Sequence, residues 1–253
     1  LLIKLKKDKF FKCEINLNNC EIFNISEDEF IELLEGELVK NNVSYQFVGK
    51  NMDLNHLNHE DNYNKEKYLE TTIFYEKGTK LNIDHEKNII LINQNKIGTK
   101  TYIINGSLDG TKVIFNGAGL SRNIIPPNYP IDTKGLTGCL SLINLNLKDI
   151  DVSANNSNCE DSVNFINSKG TVKKISITNS YSDALDVDFS RLVFNEVNIL
   201  NAKNDCTDFS YGEYHLSNLK LNSCGDKAVS IGETSDVKIY NVEVDKENVV
   251  EIK

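Results

Sequence analysis

One block of this sequence returns every 22 residues. Glu160-Asp161-Ser162-Val163-Asn164-Phe165 aligns with Ser182-Asp183-Ala184-Leu185-Asp186-Val187, then with Asn204-Asp205-Cys206-Thr207-Asp208-Phe209, then with Asp226-Lys227-Ala228-Val229-Ser230-Ile231. A second strand keeps the same spacing, from Ile175/Ile177 to Val197/Ile199 to Leu219/Leu221, and slips by one residue at Val242/Val244. Two strand types in register over successive turns describe a solenoid in which each strand pairs in parallel with its own copy one coil later. A sandwich has no reason to hold so constant a spacing. The expected fold is all-β: a single-stranded right-handed parallel β-helix of about 22 residues per coil over residues 72–253, with a small α/β cap region over residues 1–71.

In the cap region, Lys12 to Leu17 and Glu21 to Ile25 alternate polar and apolar residues around an Asn18-Asn19 turn, which reads as a small β element. Ser26 and Glu29 form a capping box and Phe30, Leu33, Leu34 and Leu38 an apolar stripe, which predicts a helix over about residues 27–41. Residues 51–67 are polar and read as a surface loop; His56 and His59 within it are too weakly spaced to define a metal site. Short β-type runs follow at 72–75, 81–83, 89–92, 102–104 and 113–115. Gly119 to Gly138 holds all three prolines and reads as a loop between coils.

Composition agrees with a solenoid. The chain has 35 asparagines, which disfavour helix because the amide competes with the backbone for hydrogen bonds. Asn179 and Asn201 recur at one turn position and give way to Ser223, so amides can bond up the stack while tolerating left-handed geometry. The net charge of −9 makes nucleic acid an unfavourable partner, and no apolar run is long enough for a membrane span. The chain opens on Leu1 and stops inside a periodic segment, so a fragment lacking its last coil is expected. The six scattered cysteines form no CxxC pair and read mostly as buried thiols, with bridges if the protein is secreted.

Alternation sends Val163/Phe165, Leu185/Val187, Thr207/Phe209 and Val229/Ile231 inward. The outward column is then Asn164, Asp186, Asp208 and Ser230, flanked by Ser162, Ala184, Cys206 and Ala228 on one side and Ile166, Asp188 and Ser210 on the other. Small and acidic residues dominate it, which predicts a groove with carboxylates standing in it. The column Asp161, Asp183, Asp205, Lys227 falls at the turn before each strand. Copies on adjacent coils lie ~4.8 Å apart in backbone, so these carboxylates cannot all ionise freely and at least one pKa should rise unless a cation intervenes. Either an acid/base pair or a metal site fits this pattern, and so does a turn aspartate that only caps backbone N–H groups. No metal or cofactor motif is present; calcium is the ion that Asp183, Asp186, Asp188, Asp205 or Asp208 would suit. Tyr181, Tyr211, Tyr214 and His215 follow the acidic strands and are candidates for a sugar-stacking rim, and Glu233 for closing the groove.

These residues resemble the pectin-lyase-like superfamily of right-handed parallel β-helices, and most closely the polygalacturonase type of glycoside hydrolase. In that family an Asn-Thr-Asp motif is followed one coil later by an Asp-Asp pair and, a coil after that, by Gly-His-Gly leading into a Leu-Ser-Ile-Gly strand. Here Tyr181-Ser182-Asp183, Asn204-Asp205 and Asp226-Lys227-Ala228-Val229-Ser230-Ile231-Gly232 stand in those places. The resemblance implies a polysaccharide substrate and an extracellular, cell-surface or periplasmic location. The family's proton donor is Asn204 here, and an amide cannot protonate a leaving group; the family histidine is Lys227. The missing acid would have to come from Asp186, Asp188 or Asp208.

The expected function is thus a carbohydrate-active β-helix that binds, and cleaves or modifies, a polysaccharide as a hydrolase, lyase or epimerase. Asp183, Asp205, Asp186, Asp208 and Lys227 are the candidate catalytic residues, and Asp188, Asn164, Asn204, Tyr211 and Glu233 the candidate substrate contacts. The alternative is a non-catalytic β-helix module for surface structure, adhesion or polysaccharide assembly.

Overall fold

The computed structural model describes residues 2–5, 9–13, 20–24, 63–119, 136–232, 234–245 and 249–252. The helix expected over residues 27–41, the HxxH pair and Glu233 lie outside the described residues. Strands β1 (Leu2–Leu5), β2 (Lys9–Cys13) and β3 (Cys20–Asn24) form an antiparallel sheet. Then come β4 (Tyr63–Tyr68), β5 (Thr71–Glu76), β6 (Thr79–Asp84), β7 (Ile89–Gln94), β8 (Thr101–Asp109) and β9 (Lys112–Asn116). The pairs β4–β5, β5–β8 and β6–β7 are antiparallel, and parallel stacking starts with β7 on β9.

Residues 63–67, expected in a loop, are the strand β4. Its middle is exposed, and its two tyrosines anchor it: Tyr63 Oη bonds Glu76 Oε1 (3.1 Å) and Tyr102 Oη (3.0 Å), while Tyr68 is fully buried. Polar composition concealed a strand whose pairing is carried by backbone.

The parallel β-helix follows in β10 (Gly138–Ser157), β11 (Asp161–Ile166), β12 (Lys169–Ser180), β13 (Asp183–Asp188), β14 (Arg191–Ala202), β15 (Thr207–Ser210), β16 (Glu213–Cys224), β17 (Lys227–Ile231), β18 (Asp236–Val244) and β19 (Val249–Ile252). Val163 pairs with Leu185, Leu185 with Thr207 and Thr207 with Val229, which is the 22-residue step read from sequence. Coils of 23 occur where Val152 meets Ile175 and Leu219 meets Val242. The short strands β11, β13, β15 and β17 make one face. Each long strand covers the other two by bending, as at Asn195-Glu196, where two successive side chains point away from the core while Phe194 and Val197 are buried.

The inward ladders are the expected ones. Val163, Phe165, Leu185, Val187, Phe209 and Val229 are all fully buried. Phe194 packs edge-on against Phe165, centroids 5.8 Å apart, and lies 6.3 Å from Phe209. Burying each such ring contributes ~1.5–3 kcal/mol.

Two asparagine ladders hold the corners. Asn201 Nδ2 donates to Asn179 Oδ1 (2.7 Å) and Asn179 Nδ2 to Asn156 Oδ1 (3.0 Å), continuing at Ser223, and all four residues have positive φ. At the other corner Asn167 Nδ2 donates to Asn144 Oδ1 (2.7 Å) and Asn144 Nδ2 to Asn105 Oδ1 (3.3 Å), again with positive φ throughout. Asparagine tolerates this conformation better than other non-glycine residues, and each amide bond adds ~1 kcal/mol.

The cysteines depart from expectation. Cys139–Cys159 and Cys206–Cys224 are disulfides with Cα–Cα distances of 5.4 and 5.3 Å, and among the described residues no cysteine is free. The column Ser162, Ala184, Cys206, Ala228, expected beside the outward groove, is buried instead. Ser162, Ala184 and Ala228 are the second residues of β11, β13 and β17 and Cys206 stands just before β15, so the column lies at the strand entrance, where Ala184, Cys206 and Ala228 join the core. A residue in this column meets the residue 18 positions later across the corner. Ser162 Oγ donates to Ser180 Oγ (2.7 Å), Ala184 and Ala202 are both buried, and Cys206 bonds Cys224.

Candidate functional site

The face made by β11, β13, β15 and β17 carries two outward columns. In the first, Ser141, Asn164, Asp186, Asp208 and Ser230 are register partners in turn; in the second, Ile143, Ile166, Asp188 and Ser210. The face therefore changes from apolar to acidic along the solenoid. Strand pleating forces Asp186 and Asp188, two positions apart on β13, onto the same side, and puts Asp208 beside Asp186 one coil on. Asp186, Asp188 and Asp208 are half-buried, whereas Asn164 is only 1% exposed.

Asn164 Nδ2 donates to Asp186 Oδ2 at 2.5 Å, while Asn164 Oδ1 is buried without a hydrogen-bond partner. Burial holds the Asp186 carboxyl well above the usual carboxylate range, and the charges of Asp188, Asp161 and Asp208 add to the effect. Burial also raises Asp188, to about 6, against the opposing hydrogen bonds from Asp186 and Asn164. Of the two neighbouring carboxyl groups, Asp186 is thus the readier to hold a proton and Asp188 the readier to ionise. Two carboxyl groups differing in this way can act as acid and base.

The turn column is engaged differently. Asp183 Oδ1 accepts from Asn204 Nδ2 (2.7 Å) and from the backbone N–H of Asp205 (2.8 Å). Asp205 Oδ1 accepts the backbone N–H of Lys227 (2.9 Å), and Lys227 Nζ reaches Asp205 Oδ2 at 3.3 Å and Asp226 Oδ2 at 2.5 Å. Each aspartate caps the backbone of the next coil, a structural task. Lys227 is 12% exposed, and its pKa is raised by the hydrogen bond to Asp226 and by Asp205. Burial lifts Asp183 to about 6, with the Asp205 amide and Asn204 pulling the other way. Asp161 is buried, its Oδ2 has no hydrogen-bond partner, and burial raises its pKa well above the ordinary value.

Tyr211 borders the acidic strands, its ring parallel to that of Phe189 within 5° and 4.9 Å from it between centroids. Both have φ of 49°, in the corner position occupied by Asn105, Asn144 and Asn167 in earlier coils. Left-handed geometry costs a bulky residue ~1–2 kcal/mol, so here the ladder gives up backbone comfort for two aromatic rings next to Asp188 and Ser210. Phe189 was not among the sequence candidates, although its signal is plain: it stands 22 residues after Asn167 and 22 before Tyr211.

Other candidates fall elsewhere. Tyr214, expected at the rim, is in the interior, where its hydroxyl donates to the Ser210 carbonyl (2.7 Å) and receives the Ser190 N–H. Tyr181 lies under Lys203 Nζ, 4.3 Å from the ring centroid, and His215 is on β16, away from the short-strand face. A groove of about 560 Å³ lies along β14, β16 and β18; of its lining residues, Glu196 pairs with Lys174 (2.7 Å) and Lys220 with Glu243 (3.1 Å). Among the described residues no group of three His, Cys, Asp or Glu is arranged to hold a metal ion.

Fold and face together define a parallel β-helix with a half-buried pair of neighbouring aspartates on one side. No protein-family model, curated protein or solved structure matches this chain.

Proposed function

We propose that this protein is a carbohydrate-active β-helix that binds a polysaccharide along the face of Asp186, Asp188 and Asp208 and acts on it by acid–base chemistry. The observation that carries this reading is the Asp186–Asp188 pair, two half-buried carboxyl groups on one side of β13 with Asp208 in register beside them, where burial raises Asp186 well above the usual carboxylate range and Asp188 to about 6. Asp186 is the acid toward a glycosidic oxygen. Asp208, across one coil, is the base or nucleophile. Glycosidase pairs need carboxyl separations of ~5–5.5 Å for retention or ~6.5–9.5 Å for inversion, within reach of side chains on neighbouring coils ~4.8 Å apart. The disulfides suit an oxidising compartment, where extracellular glycans are met.

A second reading, a non-catalytic module for surface structure, adhesion or polysaccharide assembly, draws support from the turn column, whose aspartates are occupied by backbone amides. A reducing-sugar and unsaturated-product screen over a polysaccharide panel separates the two. Wild type should release product from one substrate, and Asp186→Asn with Asp208→Asn should abolish release. Product that persists in the double variant refutes the site, and glycan binding without any product supports the module.

A further inference from the structure

We propose that the acidic face selects an amine-bearing glycan, a polymer containing hexosamine units without N-acetyl groups, over neutral or uronate polymers. This rests on the polysaccharide reading above and gives the substrate a charge.

A uronate needs a cation or several N–H donors facing it. Among the described residues the two outward columns, from Tyr102 and Ile104 through Ser141, Asn164, Asp186, Asp188, Asp208 and Ser230, contain no lysine or arginine. Lys227, the residue the resemblance would assign to a uronate, is held between Asp205 and Asp226. Lys203 lies over Tyr181 at the opposite corner. With a net charge of −9 the chain also repels a polyanion at long range.

What the face does offer is acceptors. An ammonium group carries three donors and no acceptor. Asp186, Asp188 and Asp208 present carboxylate oxygens side by side, and Asn164 Oδ1, buried beside Asp186, lacks a donor. A buried acceptor left unpaired costs ~1–3 kcal/mol, so a donor group delivered to this cluster, directly or through a water it orders, recovers that loss. A cation also offsets the repulsion between the Asp188 and Asp208 carboxylates. The Phe189–Tyr211 rings beside Asp188 supply an apolar surface for sugar C–H groups and an attractive π surface for the ammonium.

The test is binding of three size-matched oligosaccharides to the whole chain by calorimetry at neutral pH: glucosamine, N-acetylglucosamine and galacturonate oligomers. The glucosamine oligomer should bind at least tenfold tighter than the acetylated one, and its affinity should fall at least threefold between 50 and 500 mM salt. Asp188→Asn and Asp208→Asn, each checked for native far-ultraviolet dichroism, should each cost fivefold or more for the amine ligand and little for the acetylated one. Equal affinity for the amine and acetylated oligomers, tighter galacturonate binding, or salt-independent amine binding overturns the proposal. Binding of the acetylated or galacturonate oligomer that weakens in Asp208→Asn would keep the polysaccharide reading while refuting the amine preference. A panel with no binding at all refutes both.

Discussion

Replacing Asp188 by asparagine should stabilise the protein above pH 6 and flatten its stability profile below. The carboxyl is raised from 3.8 to about 6 by burial, with the charge of Asp208 adding to the effect and hydrogen bonds from Asp186 and Asn164 opposing it. The folded state therefore binds the proton more tightly than the unfolded chain. The stabilisation from the protonated form is complete below pH ~4 and is lost as pH rises through about 6. A shift of about two units at ~1.4 kcal/mol each amounts to ~3 kcal/mol. Partial exposure of the side chain and relaxation around it reduce this, so a gain of ~1–3 kcal/mol at pH 7.5 is expected. Asparagine has nearly the same shape and no charge, and its amide can donate or accept toward Asp186. Urea unfolding at half-unit intervals from pH 4 to 8 would measure it. The two proteins should match near pH 4 and diverge in favour of the variant above pH 6, at constant m-value. Parallel profiles, or a variant less stable at pH 7.5, would refute the assignment of a desolvated, repelled carboxylate at this position.

Three further outcomes test neighbouring parts. Asp205→Ala strips Lys227 of a buried partner and of the acceptor for its backbone N–H, and should cost ~3–5 kcal/mol in urea unfolding whether or not the protein is active. Phe189→Asn extends the Asn105–Asn144–Asn167 ladder by one coil and should leave the fold intact, at equal or up to ~1 kcal/mol greater stability from relieved left-handed strain; glycan affinity should drop severalfold. Changing Cys206 and Cys224 together to alanine, the pair already used one coil earlier at Ala184 and Ala202, should lower stability by ~3 kcal/mol or less, the loop-closure entropy of a loop of 18 residues, and retain native dichroism.

Much of the architecture was legible because a solenoid writes its geometry into spacing. The 22-residue step predicted the register partners Asn164, Asp186, Asp208 and Ser230, and the turn position of Asn179 and Asn201 predicted the amide ladder. Alternation holds only within a strand, however. It misplaced Cys206 and its column, and with them the disulfide, because those residues stand at the entrance of each short strand, where the side chains pack into the core. Spacing also leaves open which hydrogen bonds a carboxylate already makes. Asp183 and Asp205 stood with Asp186 and Asp208 among the candidate catalytic residues, yet the first two accept the backbone amides of the next coil. Phe189 carries no polar signal, because it stands at the corner where the ladder changes from amides to rings.

The proposed site requires that Asp186 and Asp188, neighbours on one side of β13, titrate as a coupled pair. Carboxyl carbon NMR titration of the aspartate side chains, assigned through Asp186→Asn and Asp188→Asn, tests it directly. Asp188 should titrate near 6 and Asp186 should stay protonated above that pH, with the Asp188 midpoint moving when Asp186 is replaced. Two independent titrations near 4, each unaffected by loss of the other residue, would contradict it.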